Sequence, residues 1–192
     1  MPLPADLVVE AKEAGHLAPY PTCGFPQFPV VNAYTAAITP RPKPDPSYQS
    51  EMPMTSQRTL CIIKPDACEK RTQGSILQRL LDEGFRILGL KQRHLTIAQA
   101  EGFYAVHQSR PFFRDLCAFM TRSPVVLIAL SRENAVAHWR GVIGATDPAK
   151  AEAGTIRKIF GSNMTENAVH GSDSEENGRI ECAYFFAESE LR

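Results

Sequence analysis

No net charge marks this chain: 21 lysines and arginines balance 21 aspartates and glutamates over 192 residues. A neutral surface raises no long-range field toward nucleic acid or anionic lipid, so any anion site must be local and strong nucleic-acid binding is not expected. Cysteine is scarce, with Cys23, Cys61, Cys68, Cys117 and Cys182 forming an odd set that has no CxxC spacing. That argues against structural zinc. Three of the five lie in apolar segments, where a free thiol packs as a small hydrophobe, and the set points to a reducing compartment. No apolar run approaches the roughly 20 residues that cross a bilayer, and the N-terminus has no charged region leading into an apolar core. The expected setting is cytoplasmic, without membrane contact. A GxxxxGK[ST] loop is also missing, which excludes a Walker-type phosphate site.

Proline is abundant but confined. Eleven of the fifteen prolines fall in residues 1–53, and from Pro40 to Pro46 every second residue is proline. Such spacing favours extended polyproline geometry, which has no internal hydrogen bonds and builds no core. Residues 1–56 are therefore expected to be a disordered or loosely docked extension, and residues 57–192 the folded domain. An SH3-type ligand at residues 40–46 is the functional alternative for this stretch. Met54 stands just before the first patterned segment, and a chain starting there would have 139 residues; Met54 is a candidate native start.

Beyond it the pattern is that of a compact domain. Residues 59–63 form a β-type run closed by Lys64-Pro65, since the residue before proline avoids helix. Ile76, Leu77, Leu80 and Leu81 have helical spacing within 73–83, ended by Gly84. Residues 85–95 read as a strand with Phe85, Ile87, Leu88 and Leu90 inward or paired. Thr96 caps a helix over 97–106, and Pro111 starts another to 121. Residues 124–130 are almost wholly apolar, as a central strand covered on at least one face would be. Helices at 133–143 and 155–160, a strand at 167–170 and a helix at 174–186 complete the order β-α-β-αα-β-α-β-α. This predicts a four-stranded sheet covered by helices on one face.

The candidate chemistry centres on His170, set between a short apolar run and the turn Gly171-Ser172-Asp173. Imidazole, with an unperturbed pKa of about 6.5, is the one side chain both nucleophilic and largely neutral near pH 7. A lone turn histidine has no need of chemistry, but others stand around this one. Lys64 leaves the end of the first strand, Arg140 lies on a helix before Gly141, and Arg157 follows Gly154-Thr155-Ile156. Each alone reads as a solvated charge. Together they would neutralise most of a triphosphate, at about 1.5–3 kcal/mol per desolvated charge-assisted contact. Thr146 opens the turn before Pro148, and Asn167 precedes the histidine by three. Glu181, eleven residues after His170, falls on the closing helix with Glu175 and Arg179, opposite Ala183 and Phe186; a carboxylate there could orient the imidazole. Phe112, near Tyr104, could stack on a base for about 1–3 kcal/mol or fill the core.

Five stretches occur in order: Arg58-Thr-Leu-Cys-Ile-Ile-Lys64-Pro-Asp66, Arg110-Pro-Phe-Phe113, Gly144-Ala-Thr146-Asp-Pro148, Gly154-Thr-Ile-Arg157 and Asn167-Ala-Val-His170-Gly-Ser-Asp173. With them, residues 58–186 closely resemble the nucleoside diphosphate kinase family, bacterial members above all. The resemblance implies an α+β, ferredoxin-like βαββαβ sandwich, a four-stranded antiparallel sheet with added helices. It implies transfer of the γ-phosphate of ATP to a nucleoside diphosphate by a ping-pong mechanism with broad base specificity, which maintains triphosphate pools. On this sequence His170 would be the phosphorylated residue, Glu181 and Ser172 its supports, and Tyr104 a lining residue. Lys64, Arg140, Thr146 and Arg157 would bind phosphates, Asn167 with Lys64 the sugar, and Phe112 the base. Mg²⁺ would ride on the nucleotide without direct protein ligands, and the assembly would be a homo-oligomer, tetramer or hexamer. Lys158-Ile159-Phe160 lacks the acid that the family often places there, which touches packing or subunit contacts more than catalysis. The chain ends without the longer C-terminal segment of animal members, and the Pro-rich extension has no counterpart in short bacterial ones. A regulatory or nucleic-acid-binding protein on the same fold is the rival reading; the neutral charge and the intact Lys64, Arg157 and His170 set weigh against it.

Overall fold

The computed structural model describes residues 56–191. The expected extension before Ser56, the proline run and the Met54 start lie outside the described residues. Four strands, β1 (Ser56–Ile63), β2 (Arg86–Arg93), β3 (Val125–Glu133) and β4 (Val169–Gly171), form one sheet in the order β2-β3-β1-β4. Every neighbouring pair is antiparallel. Among the described residues seven α-helices accompany them: α1 (Pro65–Glu69), α2 (Gln73–Asp82), α3 (Ile97–Phe103), α4 (Phe113–Met120), α5 (Ala135–Ile143), α6 (Ile156–Phe160) and α7 (Glu175–Phe185). The arrangement is the ferredoxin-like α+β sandwich that the sequence implied.

Helices cover both faces of the sheet rather than one. Alternate residues of a strand point to opposite sides, and in β1 and β3 both sets are apolar. Cys61, Ile63, Val126, Ile128 and Leu130 pack with Ile76 and Leu80 of α2, Trp139 and Ile143 of α5 and Ile156 of α6. Leu60, Ile62, Val125, Leu127 and Ala129 pack with Ala100 of α3, Cys117 and Met120 of α4 and Cys182 of α7. An all-apolar strand in a two-sided core has this composition, at roughly 1.5–3 kcal/mol for each large side chain buried.

Some details differ from the sequence reading. The short α1, with Pro65 at its first turn, was not foreseen, because proline is compatible with a helix start as well as a strand end. A bulge between Ile87 and Gly89 shifts the register of β2; Leu88 is buried while Leu90 stands exposed on this edge strand. On α7 the buried residues are Gly178 and Cys182, four apart, whereas Ala183 is exposed and Glu181 half-buried. The helix is rotated so that Glu181 faces the sheet edge and not open solvent.

Candidate active site

The three residues of β4 pair with β1 as Cys61 with Gly171, Ile62 with His170 and Ile63 with Val169. Alternation sends Val169 into the core beneath α5 and turns His170 toward α3 and α7. There His170 Nε2 lies 2.9 Å from Glu181 Oε2. The same oxygen accepts the Ser172 hydroxyl at 2.7 Å, and Ser172 Oγ accepts the Leu60 N–H at 3.0 Å. The main chain of β1 thus orients Ser172, which orients Glu181, which orients the imidazole. A carboxylate at Nε2 favours the tautomer with its proton on Nε2, leaving the lone pair on Nδ1. Among the described residues no hydrogen bond reaches Nδ1. Trp139 Nε1, buried under β4, donates to the His170 carbonyl at 3.3 Å and fixes the main chain.

Two aromatic edges confine the ring. Phe103 lies at 5.4 Å between centroids and 76°, Tyr104 at 6.5 Å and 86°. Among the described residues the buried Tyr104 hydroxyl has no hydrogen-bond partner; burial, then the nearby Glu181 charge, pushes its pKa well up, so it remains a donor.

Ahead of the histidine the backbone is strained. Ala168 has φ 67°, and the Val169 N–H donates to Asn167 O at 2.8 Å, closing a three-residue turn of the rare strained kind. An alanine held there costs on the order of 1–3 kcal/mol. Ala168 is clamped on both sides, its N–H donating to Asp66 Oδ2 at 3.0 Å and its carbonyl accepting the Lys64 N–H at 2.9 Å. Burial raises the pKa of Asp66, and the Ala168 N–H and the Lys64 charge oppose that rise.

Lys64 is buried, and its Nζ donates to Asn167 Oδ1 at 2.6 Å and to Thr165 O at 3.3 Å. Burial, reinforced by the neighbouring Arg157 charge, lowers its pKa to about 8. Asn167 in turn donates to the Thr146 and Met164 carbonyls at 2.9 and 3.0 Å. Arg157 donates to Gly144 O at 3.0 Å and Val169 O at 3.1 Å, while its Nε is buried without a partner. Burial and the Arg140 charge bring its pKa down to about 10. Gly144 ends α5 at φ 79°, where a side chain would also collide with Thr155. Arg140, Thr146 and Arg157 line an open cavity of about 390 Å³ together with Lys150 and Glu152. Three cations, Arg140, Lys150 and Arg157, beside the single Glu152 carboxylate leave an excess of positive charge that suits a multiply charged anion.

The fold therefore brings His170, Glu181, Ser172 and Tyr104 into one cluster, Lys64 and Asn167 into a bonded pair, and Arg140, Thr146 and Arg157 around one cavity. Arg157 bridges cluster and cavity through the Val169 carbonyl, one residue from His170. Phe112 stands apart and half exposed at the start of α4, linked to Tyr104 only through His107, whose ring is 5.8 Å from Phe112 and 6.5 Å from Tyr104. Phe103, Trp139, Asp66 and Ala168 were not singled out by sequence reasoning. Phe103 directly precedes Tyr104 and Trp139 directly precedes Arg140, a signal that was there to use; Asp66 is two residues beyond Lys64, and nothing in the sequence marks Ala168 as strained, because alanine is not a residue that announces a left-handed backbone.

Residues 57–191 match the family model described as nucleoside diphosphate kinase. A nucleoside diphosphate kinase of Geotalea uraniireducens is 57% identical over 135 residues, 70% of this chain and 98% of the relative. One from Sorangium cellulosum is 59% identical over 138 residues, 72% of this chain and 96% of the relative. Among solved structures, the Aquifex aeolicus nucleoside diphosphate kinase superposes with a TM-score of 0.70 at 42% identity, over 71% of this chain and 99% of that one. A halophilic nucleoside diphosphate kinase from Halobacterium salinarum, solved in complex with CDP, gives 0.69 at 34% identity over 71% and 91%.

Proposed function

The chain belongs to the nucleoside diphosphate kinase family, a phosphotransferase that moves the terminal phosphate of a nucleoside triphosphate to a nucleoside diphosphate, and we propose that His170 carries the phosphate between the two. The observation that supports this reading best is the Glu181 contact at Nε2, which leaves Nδ1 with its lone pair and, among the described residues, without a hydrogen bond.

The Nδ1 lone pair attacks the γ-phosphorus in line. The bond from that phosphorus to the β,γ-bridging oxygen breaks, its electron pair leaves on ADP, and the phosphoryl group stays on Nδ1. The Nε2 proton remains on the Glu181 hydrogen bond, which stabilises the imidazolium-like charge that develops. Lys64, Arg140, Arg157 and the Thr146 hydroxyl hold the phosphates; Lys64 and Asn167 hold the sugar; Tyr104 lines the cluster. Such positioning and charge compensation is most of what phosphoryl transfer requires. A second diphosphate then enters the same site and the steps reverse. Phe112, exposed and able to stack on any base, gives affinity without reading an edge, so base specificity is broad.

Mg²⁺ fits this donor set as a passenger. Arg140, Lys150 and Arg157 line the cavity with Glu152 as its one carboxylate, and among the described residues there is no cluster of three metal-ligating side chains; the ion would be held by phosphate oxygens, whose charge it would offset. The working form is a homo-oligomer, tetramer or hexamer, acting in the cytoplasm; no described helix is long and apolar enough to cross a membrane.

Incubation with ATP and removal of nucleotide, followed by intact-mass measurement, is expected to show one added phosphoryl group per chain, labile to mild acid. His170→Gln should retain nucleotide binding and show no added mass. A phosphoryl group on that variant, or one that survives mild acid on the native chain, refutes the assignment.

A further inference from the structure

Residues 161–167 supply both groups that hold the Lys64 ammonium, the Thr165 carbonyl and the Asn167 side chain. This loop is stiffened from within. Asn163 Oδ1 accepts the Thr165 and Glu166 N–H groups at 2.9 Å each, and Glu166 O accepts those of Ser162 and Asn163 at 2.7 and 3.2 Å. Internal bonds set its shape but not its place. Lys70, just beyond α1, fixes the near end by donating to Phe160 O at 3.1 Å and Ser162 Oγ at 2.8 Å.

Arg122 fixes the far end. It sits in the turn between α4 and β3, with Nη1 2.8 Å from Glu166 Oε1. Its Nε and Nη2 grip the Glu69 carboxylate of α1 at 2.9 and 2.7 Å. The guanidinium lies over the Phe119 ring, 5.1 Å from its centroid, and Lys64 Nζ is 5.9 Å from the same centroid. Arg122 does not line the phosphate cavity. It reaches the chemistry through the residue next to Asn167.

We propose that Arg122 is a positioning residue for phosphoryl transfer: by tying Glu166 to Glu69 it seats the 161–167 loop, and the seated loop aims the Lys64 ammonium at the nucleotide. This rests on Lys64 being a phosphate contact. A single exposed ion pair does little, but one planar guanidinium shared by two carboxylates, one of them bidentate, fixes direction as well as distance. Lysine, a point charge on a flexible stem, cannot make the same three contacts.

A cycle between two positions tests the assignment. The readout is kcat/KM for phosphoenzyme formation from ATP, measured by rapid quench on the full chain, with thermal unfolding recorded for each variant. Arg122→Ala is expected to lower the rate about fivefold, with Glu166→Gln reproducing that loss while leaving the loop's size unchanged, and Arg122→Lys recovering only part of it. In a Lys64→Met background, where the rate is already far lower, Arg122→Ala should add nothing further. A rate within about 1.5-fold of native for both Arg122→Ala and Glu166→Gln overturns the inference, as does an equal loss in both backgrounds, which would mean Arg122 acts without Lys64. A Lys64→Met enzyme as fast as native overturns instead the reading of the site on which it rests.

Discussion

As the proposed phosphate contact, Lys64 would serve activity and stability with opposite signs. Its folded pKa of about 8 lies below the ordinary lysine value of about 10.4 because burial and Arg157 disfavour the ammonium. In the proposed role the phosphate contact needs that charge, so kcat/KM for nucleotide is expected to fall on an alkaline limb near pH 8. The limb in kcat should lie higher, since bound phosphate favours the ammonium. Stability moves the other way. Below pH 8 both folded and unfolded states carry the proton and the cost of burying it is fully present. Between about pH 8 and 10.4 the unfolded chain holds more protons than the folded one, so stability rises with pH. Denaturant titrations of the native chain and Lys64→Met should show the native chain gaining stability relative to the variant across that window; a native chain that gains nothing or loses ground there would contradict the burial argument. Lys64 was legible as a candidate at the end of a strand before proline. Its hold on Asn167 was not, because the two are 103 residues apart and only the fold joins them.

Among the elements, α7 carries the clearest demand. Gly178 packs where a Cβ would overlap the Arg58 carbonyl oxygen of β1, so α7 lies against the strand backbone. Alanine normally strengthens a helix by about 1 kcal/mol over glycine. Here overpacking of about 1–3 kcal/mol opposes it and moves the helix that carries Glu181. Gly178→Ala is expected to lower Tm by several degrees and to cut kcat about tenfold with a smaller change in KM. Differential scanning calorimetry and steady-state exchange kinetics check both, and a raised Tm would show that α7 has room. The order and type of the elements were visible in the sequence because their apolar periods are strong, from the 73–83 helix to the apolar run of β3. Their faces were less so. The rotation of α7 is set by the small pair Gly178 and Cys182, not by its larger apolar residues, and a second helical layer follows from β3 being apolar on both sides, a pattern that one covered face would not need.

For the molecule as a whole, residues 56–191 contain a two-sided core of their own, and the family match spans 57–191. A chain starting at Met54 is therefore expected to keep exchange rates and oligomer mass within about twofold of the full chain. Light scattering and the coupled exchange assay decide it; a smaller assembly would show that residues 1–53 belong to the working unit. The last consequence comes from β4, whose three residues must arrive in phase. With only Val169, His170 and Gly171 to pair, the strand has no spare length to absorb an error. A slip of one residue would carry the imidazole beneath α5 and bring valine out in its place. The kinked Ala168 acts as a counter that starts the strand on the correct beat. Between Asn167 and His170 the chain is thus intolerant of any insertion or deletion, since one residue more or less would exchange the two faces of the strand and leave the imidazole on the wrong side of the sheet.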